Sequence, residues 1–533
     1  MAAVTAFKLI LLSLIAIVVL NLAAARLRLP PAAALLIGGI AMAFIPGVPD
    51  VALDPDLVLL VFMPPLLMDG AWFTVWHDFR RNLGGILLLA IGAVLFTTLC
   101  VGVAVHWVVP ALPWGACFAL GAIVSPPDAV AAKAVLERLA LPRRLMVLLE
   151  GESLLNDAAG LVLYRFAIAA ALTGAFSLPH ALFSFVTLGA GGALVGVVVG
   201  WLILALLRRL TDMYLMITTA VLAGWVSYIA GELCHVSGVI ATVACGMLLG
   251  WHQHEVFPAA TRTRGTAFWQ VMVFLLEALV FILIGLSLRG VIARLGGAEH
   301  AFVAFAPAVA AVVGTVIVAR FVWIFVADYL EAGLRRLRGE VGSGGVAVWR
   351  AATVKSWAGM RGVVTLAIAL ALPETLPGRD LALVASFAVI LVTVLLQGLT
   401  IGPLIRWLRP ATGSDGEPRW LTEREAWARL EAAQFDAIVP LVHDGDGNVI
   451  HPRLFEQYGY RRQLTAQLRD EIGYSPDARR QHYDVVLAAV AAGRAELLKL
   501  HRGGLVHDEL LHVLEYDLDL QEISARHGRG DEA

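Results

Sequence analysis

Between Glu150 and Arg165 an otherwise apolar stretch carries Glu150, Glu152, Asn156, Asp157 and Arg165. On a helix turning roughly 100° per residue, Glu152 and Asn156 share a face, Asp157 lies one step round, and Arg165 follows two turns beyond Asp157. Two other apolar stretches are broken by residues a helix tolerates poorly. In Gly121-Ala-Ile-Val-Ser125-Pro126-Pro127-Asp128 the prolines remove amide donors and disfavour helix just before them. In Trp357-Ala-Gly359-Met-Arg361-Gly362 a positive charge sits between glycines. Carboxylates beside freed backbone carbonyls suit a hard monovalent cation and its competitor, the proton. Broken helices of this kind are tolerated in lipid where the carbonyls line a polar cavity.

These residues need a scaffold, and composition says which. Of 533 residues 59% are hydrophobic and 15% charged, against roughly 45–50% and about 25% in average globular chains. The excess faces lipid. A formal net charge of -2, from 40 basic and 42 acidic residues, offers no basic field for nucleic acid. The charge is unevenly spread. From Pro410 to Ala533 there are 22 acidic and 14 basic residues and no apolar run long enough to span. The expected organisation is a transmembrane unit over 1–409 and a soluble, mainly helical tail over 410–533.

A bilayer core of about 30 Å takes roughly 20 apolar residues per helix. Stretches of that kind fall at about 5–24, 30–46, 56–73, 83–108, 112–135, 146–172, 179–206, 213–231, 236–251, 267–288, 302–327, 350–373 and 380–406. The first is kept as a span, because Arg26 and Arg28 follow it where a small-residue cleavage site would be expected. The fold class expected is an all-α polytopic membrane protein of thirteen crossings. Lys and Arg accumulate in cytoplasmic loops. With the N-terminus outside, one side receives the Arg pairs at 26 and 28, 80 and 81, 143 and 144, 208 and 209, and 262 and 264, then Arg335, Arg336 and Arg406. The other side holds Arg289, Arg294 and Arg379, so an odd number of spans leaves the tail in the cytoplasm. Each charge inside a span costs at least ~2.5–3.5 kcal/mol on insertion scales and is a functional candidate by default. With six helices, one linker helix and six more, the broken fifth and twelfth spans occupy equivalent places in two inverted repeats.

The sequence resembles the sodium/proton exchanger branch of the monovalent cation/proton antiporter superfamily over roughly residues 30–405. Its most specific motif is Gly151-Glu152-Ser153-Leu154-Leu155-Asn156-Asp157. Met63-Pro64-Pro65 with Asp69, Ser237-Gly-Val-Ile240, the run from Glu277 to Gly285, Ala319-Arg320-Phe321 and Gly359-Met360-Arg361-Gly362 are also similar. The resemblance implies a homodimer built from a dimerisation domain and a six-helix core, with spans five and twelve crossing beside Asp157, the shared cation and proton site. It implies that Asn156 before the Asp marks electroneutral exchange, that Glu152 pairs with Arg320, and that Arg361 supplies charge at the broken twelfth helix. Many exchangers carry proline after the fifth-span aspartate, whereas Pro126 and Pro127 precede Asp128 here. Asp128 still lies 24 residues before Glu152, the spacing the family pattern expects.

Asp157 with Asp128, Ser153, carbonyls around Ser125 and water would offer a sodium ion about five or six oxygens. Burial disfavours the charged form of a carboxylate in general, so a proton competes with the cation. A core that moves only when the carboxylate is neutralised exchanges one for one without cofactor or ATP. Asp128 also fits a second role, capping the helix that restarts after the prolines. Asp69 and Glu277 match family positions and also suit a cavity rim. Arg165, Lys133 and Lys355 fit either a functional charge or a side chain snorkelling to the surface.

The four cysteines fall in apolar stretches and read as small hydrophobes, not as a disulfide framework or zinc site. The many Trp read as interfacial anchors. In the tail, Asp444-Gly-Asp446-Gly-Asn448 begins like a calcium loop, but Val449 stands at the required glycine and Phe455 at the required glutamate. Helical periodicity there covers 423–437, 461–471, 484–502 and 505–524. The tail's histidines make pH sensing a second reading of a polar surface. An enzyme would need a converging nucleophile and base, and Ser153 lacks an evident His base in the neighbouring spans. The expectation is Na+ or Li+ exchanged for H+ across the bacterial inner membrane, with K+/H+ exchange as the alternative, and a channel or solute sensor as readings from other classes.

Overall fold

The computed structural model describes residues 2–27, 29–46, 48, 55–128, 141–174, 177–294, 298–337, 345–408, 423–443, 448–470, 476–502 and 508–529. The chain forms two compact units, Met1–Asp415 and Gly416–Ala533.

The first unit is helical throughout its described elements. They are α1 (Ala2–Leu27), α2 (Pro31–Ala43), α3 (Pro55–Phe73), α4 (Trp76–Val108), α5 (Trp114–Val124), α6 (Arg143–Thr173) and α7 (Leu178–Leu207). There follow α8 (Met213–Leu233), α9 (Gly238–Val256), α10 (Ala259–Arg294), α11 (Ala298–Leu337), α12 (Gly345–Trp357), α13 (Val363–Leu370) and α14 (Arg379–Leu408). Eight helices among the described residues are long and apolar enough to cross a membrane. Local chemistry sets several ends. Asp212 caps α8 by accepting from the Leu215 amide, and Ser237 caps α9 through the Ile240 amide. Gly174, with φ of 69°, closes α6 in the left-handed conformation that an L side chain resists.

Two sets of close helix contacts stand out, joined by a shared apolar core. In one, α2 lies along α10, and α9 packs against α3, α7 and α8. In the other, α5 packs against α4 and α6, while α11 packs against α4, α12 and α14. The second group holds both interrupted stretches, and the breaks meet inside a packed core.

Several boundaries differ from the sequence expectation. The helix expected at 83–108 begins at Trp76, because His77, Asp78, Arg80 and Arg81 form helical turns in spite of their polarity. Within it Leu88–Ala93 is a π-turn, as is Thr393–Gln397 within α14. The tenth and eleventh stretches extend past their apolar segments as α10 and α11. In the stretch expected at 112–135 the described helix stops at Val124; the remainder beyond 128, including Lys133, lies outside the described residues. Cys234 is exposed at the end of α8, unlike the buried Cys117 and Cys245.

The second unit contains α15 (Glu423–Ile438), α16 (Pro452–Asp470), α17 (Pro476–Arg502) and α18 (Asp508–Arg529). Its second helix starts at Pro452, earlier than the expected 461, with proline in the first turn where no amide is needed. The tails's helices pair as α15 with α16 and α17 with α18. The calcium-like turn at 444–447 lies outside the described residues.

Candidate functional site

The end of α5 poses a problem of unsatisfied carbonyls, since a helix leaves its last C=O groups without intrahelical partners. Pro126 and Pro127 prevent continuation. The partner comes from the other break. Arg361 Nε donates to Val124 O at 3.0 Å, Nη2 donates to Ser125 O at 3.2 Å, and Nη1 donates to Gly359 O. The guanidinium is 1% exposed, so its charge is spent on helix-end carbonyls, where cations are favoured. The crossing is tied a second time by the Asp128 amide, which donates to Met360 O at 2.7 Å. The Arg361 amide donates to Thr393 Oγ1 at 3.1 Å, at the start of the α14 π-turn.

The glycines of this segment make room. A Cβ on Gly359 would overlap the Arg320 guanidinium, and one on Gly362 would overlap the Asp128 carboxylate. Both functional side chains therefore occupy volume that any other residue would fill.

Helix α6 lies against this crossing. Asn156, fully buried, donates from Nδ2 to Pro127 O, which leaves Oδ1 as its other end, buried and without a hydrogen-bond partner among the described residues. Asp157 follows on the next position of α6, partly exposed. One turn back, Glu152 receives Arg320 through two parallel bonds, Nη1 to Oε1 at 2.6 Å and Nη2 to Oε2 at 3.0 Å. Arg320 Nη2 also donates to Lys355 O at 3.1 Å, fixing the last turn of α12. Ser125 is buried and its Oγ is 3.0 Å from Thr98 Oγ1. Ser153 is partly buried on α6.

The structure thus gathers Ser125, Asp128, Asn156, Asp157, Glu152, Arg320 and Arg361 around the crossing. Asp69 belongs to the other helix group, where Trp269 Nε1 donates to its Oδ1 at 2.8 Å; Trp269 is thereby more than an interfacial anchor. Glu277 is partly buried on α10. Arg165 reaches Glu232 of α8 at 3.5 Å, with both side chains about half exposed. Lys355 does not snorkel: it is buried and ion-paired with Asp328 of α11. Thr98, Thr393 and Asp328 escaped the sequence reading. Asp328 had a signal, an acid next to the apolar run ending at 327. The two threonines had none, because a threonine in an apolar helix ordinarily bonds its own backbone.

A cavity of about 150 Å3 lies at the N-terminal end of α6, lined by Thr74, Asp78, Arg143, Glu150 and Gly151 among others. Asp78 and Arg143 are ion-paired across it at 2.8 Å. A second cavity, between α3, α10 and α13, is wholly apolar, with Phe62, Ile284, Leu366 and Leu370 in its wall.

Comparison with known proteins matches residues 10–407 to the family described as sodium/hydrogen exchanger, transmembrane. An uncharacterized Na+/H+ exchanger of Mycobacterium tuberculosis is 30% identical over 95% of this chain and 94% of its own length. A sodium, potassium, lithium and rubidium/H+ antiporter of Bacillus pumilus is 35% identical over 69% of this chain and 56% of its own length. Among solved structures, the sodium proton antiporter MjNhaP1 of Methanocaldococcus jannaschii at pH 8 aligns with a TM-score of 0.60 at 19% identity. That alignment covers 76% of this chain and 99% of the other, a likeness of fold.

Proposed function

Because the chain belongs to the sodium/hydrogen exchanger family, a family of membrane antiporters and not of enzymes, we propose that it exchanges Na+ or Li+ for H+ one for one, with cation and proton competing for Asp157. Cation/proton antiport is the work of the family. The stoichiometry and the site are our reading, and the observation that carries them is the charge balance at the crossing.

Glu152 and Arg320 cancel one another in a buried, bidentate pair. Arg361 is spent on the helix-end carbonyls it caps, and the Asp128 carboxylate sits against the Gly362 backbone. Asp157 is the carboxylate we assign to the shared proton and cation, and among the described residues no basic side chain forms an ion pair with it. One carboxylate carries one H+ or one monovalent cation, so each stroke of the core moves a neutral site. Asn156 supports this count, since an amide at that place adds oxygen without adding charge. Its Oδ1, Ser125 and Ser153 hydroxyls and the Asp128 carboxylate are the hard oxygens available to a dehydrated cation.

Access from one side is supported by the cavity at Asp78 and Glu150, whose wall mixes charged and apolar side chains, two turns before Asp157 on α6. The apolar cavity between α3, α10 and α13 opposes ion passage along that boundary. The reading carries with it thirteen crossings, a homodimer in the cell membrane, the N-terminus outside and the tail in the cytoplasm. K+/H+ exchange is the second reading, favoured by the Bacillus pumilus relative that is named for potassium as well as sodium.

The test is proton movement in sealed vesicles holding the pure protein and an internal pH dye, stepping Na+, Li+ and K+ at zero and at large membrane potential. Cation-driven pH change that ignores the potential and vanishes in Asp157→Asn is expected. Dependence on the potential would overturn the one-charge reading, and a response to K+ alone would assign the second reading.

A further inference from the structure

The shorter contacts at the end of α5 favour one direction for its hydroxyl hydrogens. Thr98 Oγ1 lies 2.8 Å from Val94 O one turn back on α4, to which it donates. A hydroxyl has one hydrogen and two lone pairs. Having given its hydrogen to Val94, Thr98 can only accept at its 3.0 Å contact with Ser125 Oγ. Ser125 is therefore the donor of that bond. Its other polar neighbour, Ala122 O at 3.3 Å, would consume the same hydrogen. Both hydroxyls are buried, at 5% and 2% exposure, so bulk water does not compete for these bonds. The hydrogen of Ser125 is turned back toward α4 and α5, and its lone pairs remain available at the break.

We propose that Thr98 is a positioning residue for the exchange, which draws the Ser125 hydrogen away so that Ser125 Oγ meets the transported cation as an acceptor. The inference rests on the reading of Ser125 as a cation ligand. A hydroxyl that points its hydrogen at a cation repels it, and one that points a lone pair at it binds. Removing the acceptor on α4 leaves Ser125 with the longer, poorer bond to Ala122 O and frees its hydrogen to turn. The loss falls on cation affinity, while the carboxylate that carries the proton is untouched.

The experiment measures the Na+ dependence of exchange in vesicles for the full chain, Thr98→Val, Thr98→Ser, Ser125→Ala and the double variant. Thr98→Val is expected to raise the Na+ KM about tenfold, the worth of one hydrogen bond, with the maximal rate within about twofold of the parent. Thr98→Ser restores the parent KM, and Thr98→Val adds nothing once Ser125→Ala is present. If Thr98→Val is not recovered folded, Thr98→Ala, which also lacks the acceptor, is measured in its place. A parent-like KM in Thr98→Val, or an effect of equal size on the Ser125→Ala background, overturns the role of Thr98 while leaving antiport at Asp157 standing. A parent-like KM in Ser125→Ala overturns the ligand reading of Ser125, and this inference with it.

Discussion

Gly359 and Gly362 leave no room for a Cβ, because the atoms it would displace are those of Arg320 and Asp128. Gly359→Ala is expected to destabilise by about 1–3 kcal/mol, the usual penalty of overpacking, and to depress exchange beyond that loss, since the guanidinium it pushes is the partner of Glu152. A thermal melt and a vesicle assay of the same preparation check the two effects. An unchanged melt and rate would mean that Arg320 does not fill that space. Glu152→Ala is costlier. It strands the Arg320 charge in a buried site, and removing one partner of such a pair typically costs about 3–5 kcal/mol. Arg320 itself was reached in sequence through the family resemblance of Ala319-Arg320-Phe321, whereas the need for glycine opposite it follows from a contact between residues far apart in the chain.

At the scale of elements, α11 carries three acid-base ties at different depths. Arg320 joins it to α6, Asp328 joins it to α12 through Lys355, and Glu331 joins it to Arg144 at the start of α6. Burial predicts their ranking. The Lys355 and Asp328 side chains are 8% and 14% exposed, while Arg144 and Glu331 are 41% and 42% exposed. Lys355→Ala should therefore cost about 3–5 kcal/mol by leaving Asp328 buried without its cation, and Arg144→Ala about 0–1 kcal/mol. Melting temperatures of the purified variants compare them, and equal shifts would remove burial as the cause. Lys355 fitted two readings in sequence because a long aliphatic stem reaches a surface as readily as it reaches a partner. The partner's position on α11 decided between them.

For the whole molecule, the division into Met1–Asp415 and Gly416–Ala533 leads to the expectation that a chain ending at Leu408 retains Asp157-dependent exchange in vesicles. Loss of exchange in a folded preparation would assign the tail a part in transport. The tail has its own pH response. Glu522 receives hydrogen bonds from Arg494 and then from Arg526, which hold its carboxyl below the ordinary value of 4.5. A lowered value in the folded state gives stability that is present above the ordinary value and is lost as pH falls through the lowered one. Protection factors against hydrogen exchange in α17 and α18 of the full chain should thus be high at neutral pH and fall as pH drops below the ordinary carboxyl value of 4.5. Protection that is independent of pH over this range would show that these bonds do not hold the pair of helices.

The sequence by itself determined the all-helical class, most of the helical stretches and the cluster proposed as the site. Lipid admits long apolar runs and few charges, so the run lengths, the Glu152 to Asp157 cluster and the two interruptions were readable one residue at a time. Tertiary structure alone decided who satisfies whom: that Arg361 caps the carbonyls of α5, that Asp328 receives Lys355, that Trp269 holds Asp69, and that Thr98 takes the Ser125 hydrogen. Each joins residues on different helices. Such bonds depend on which faces meet after packing, and the run lengths and motifs of a single chain carry no record of that choice.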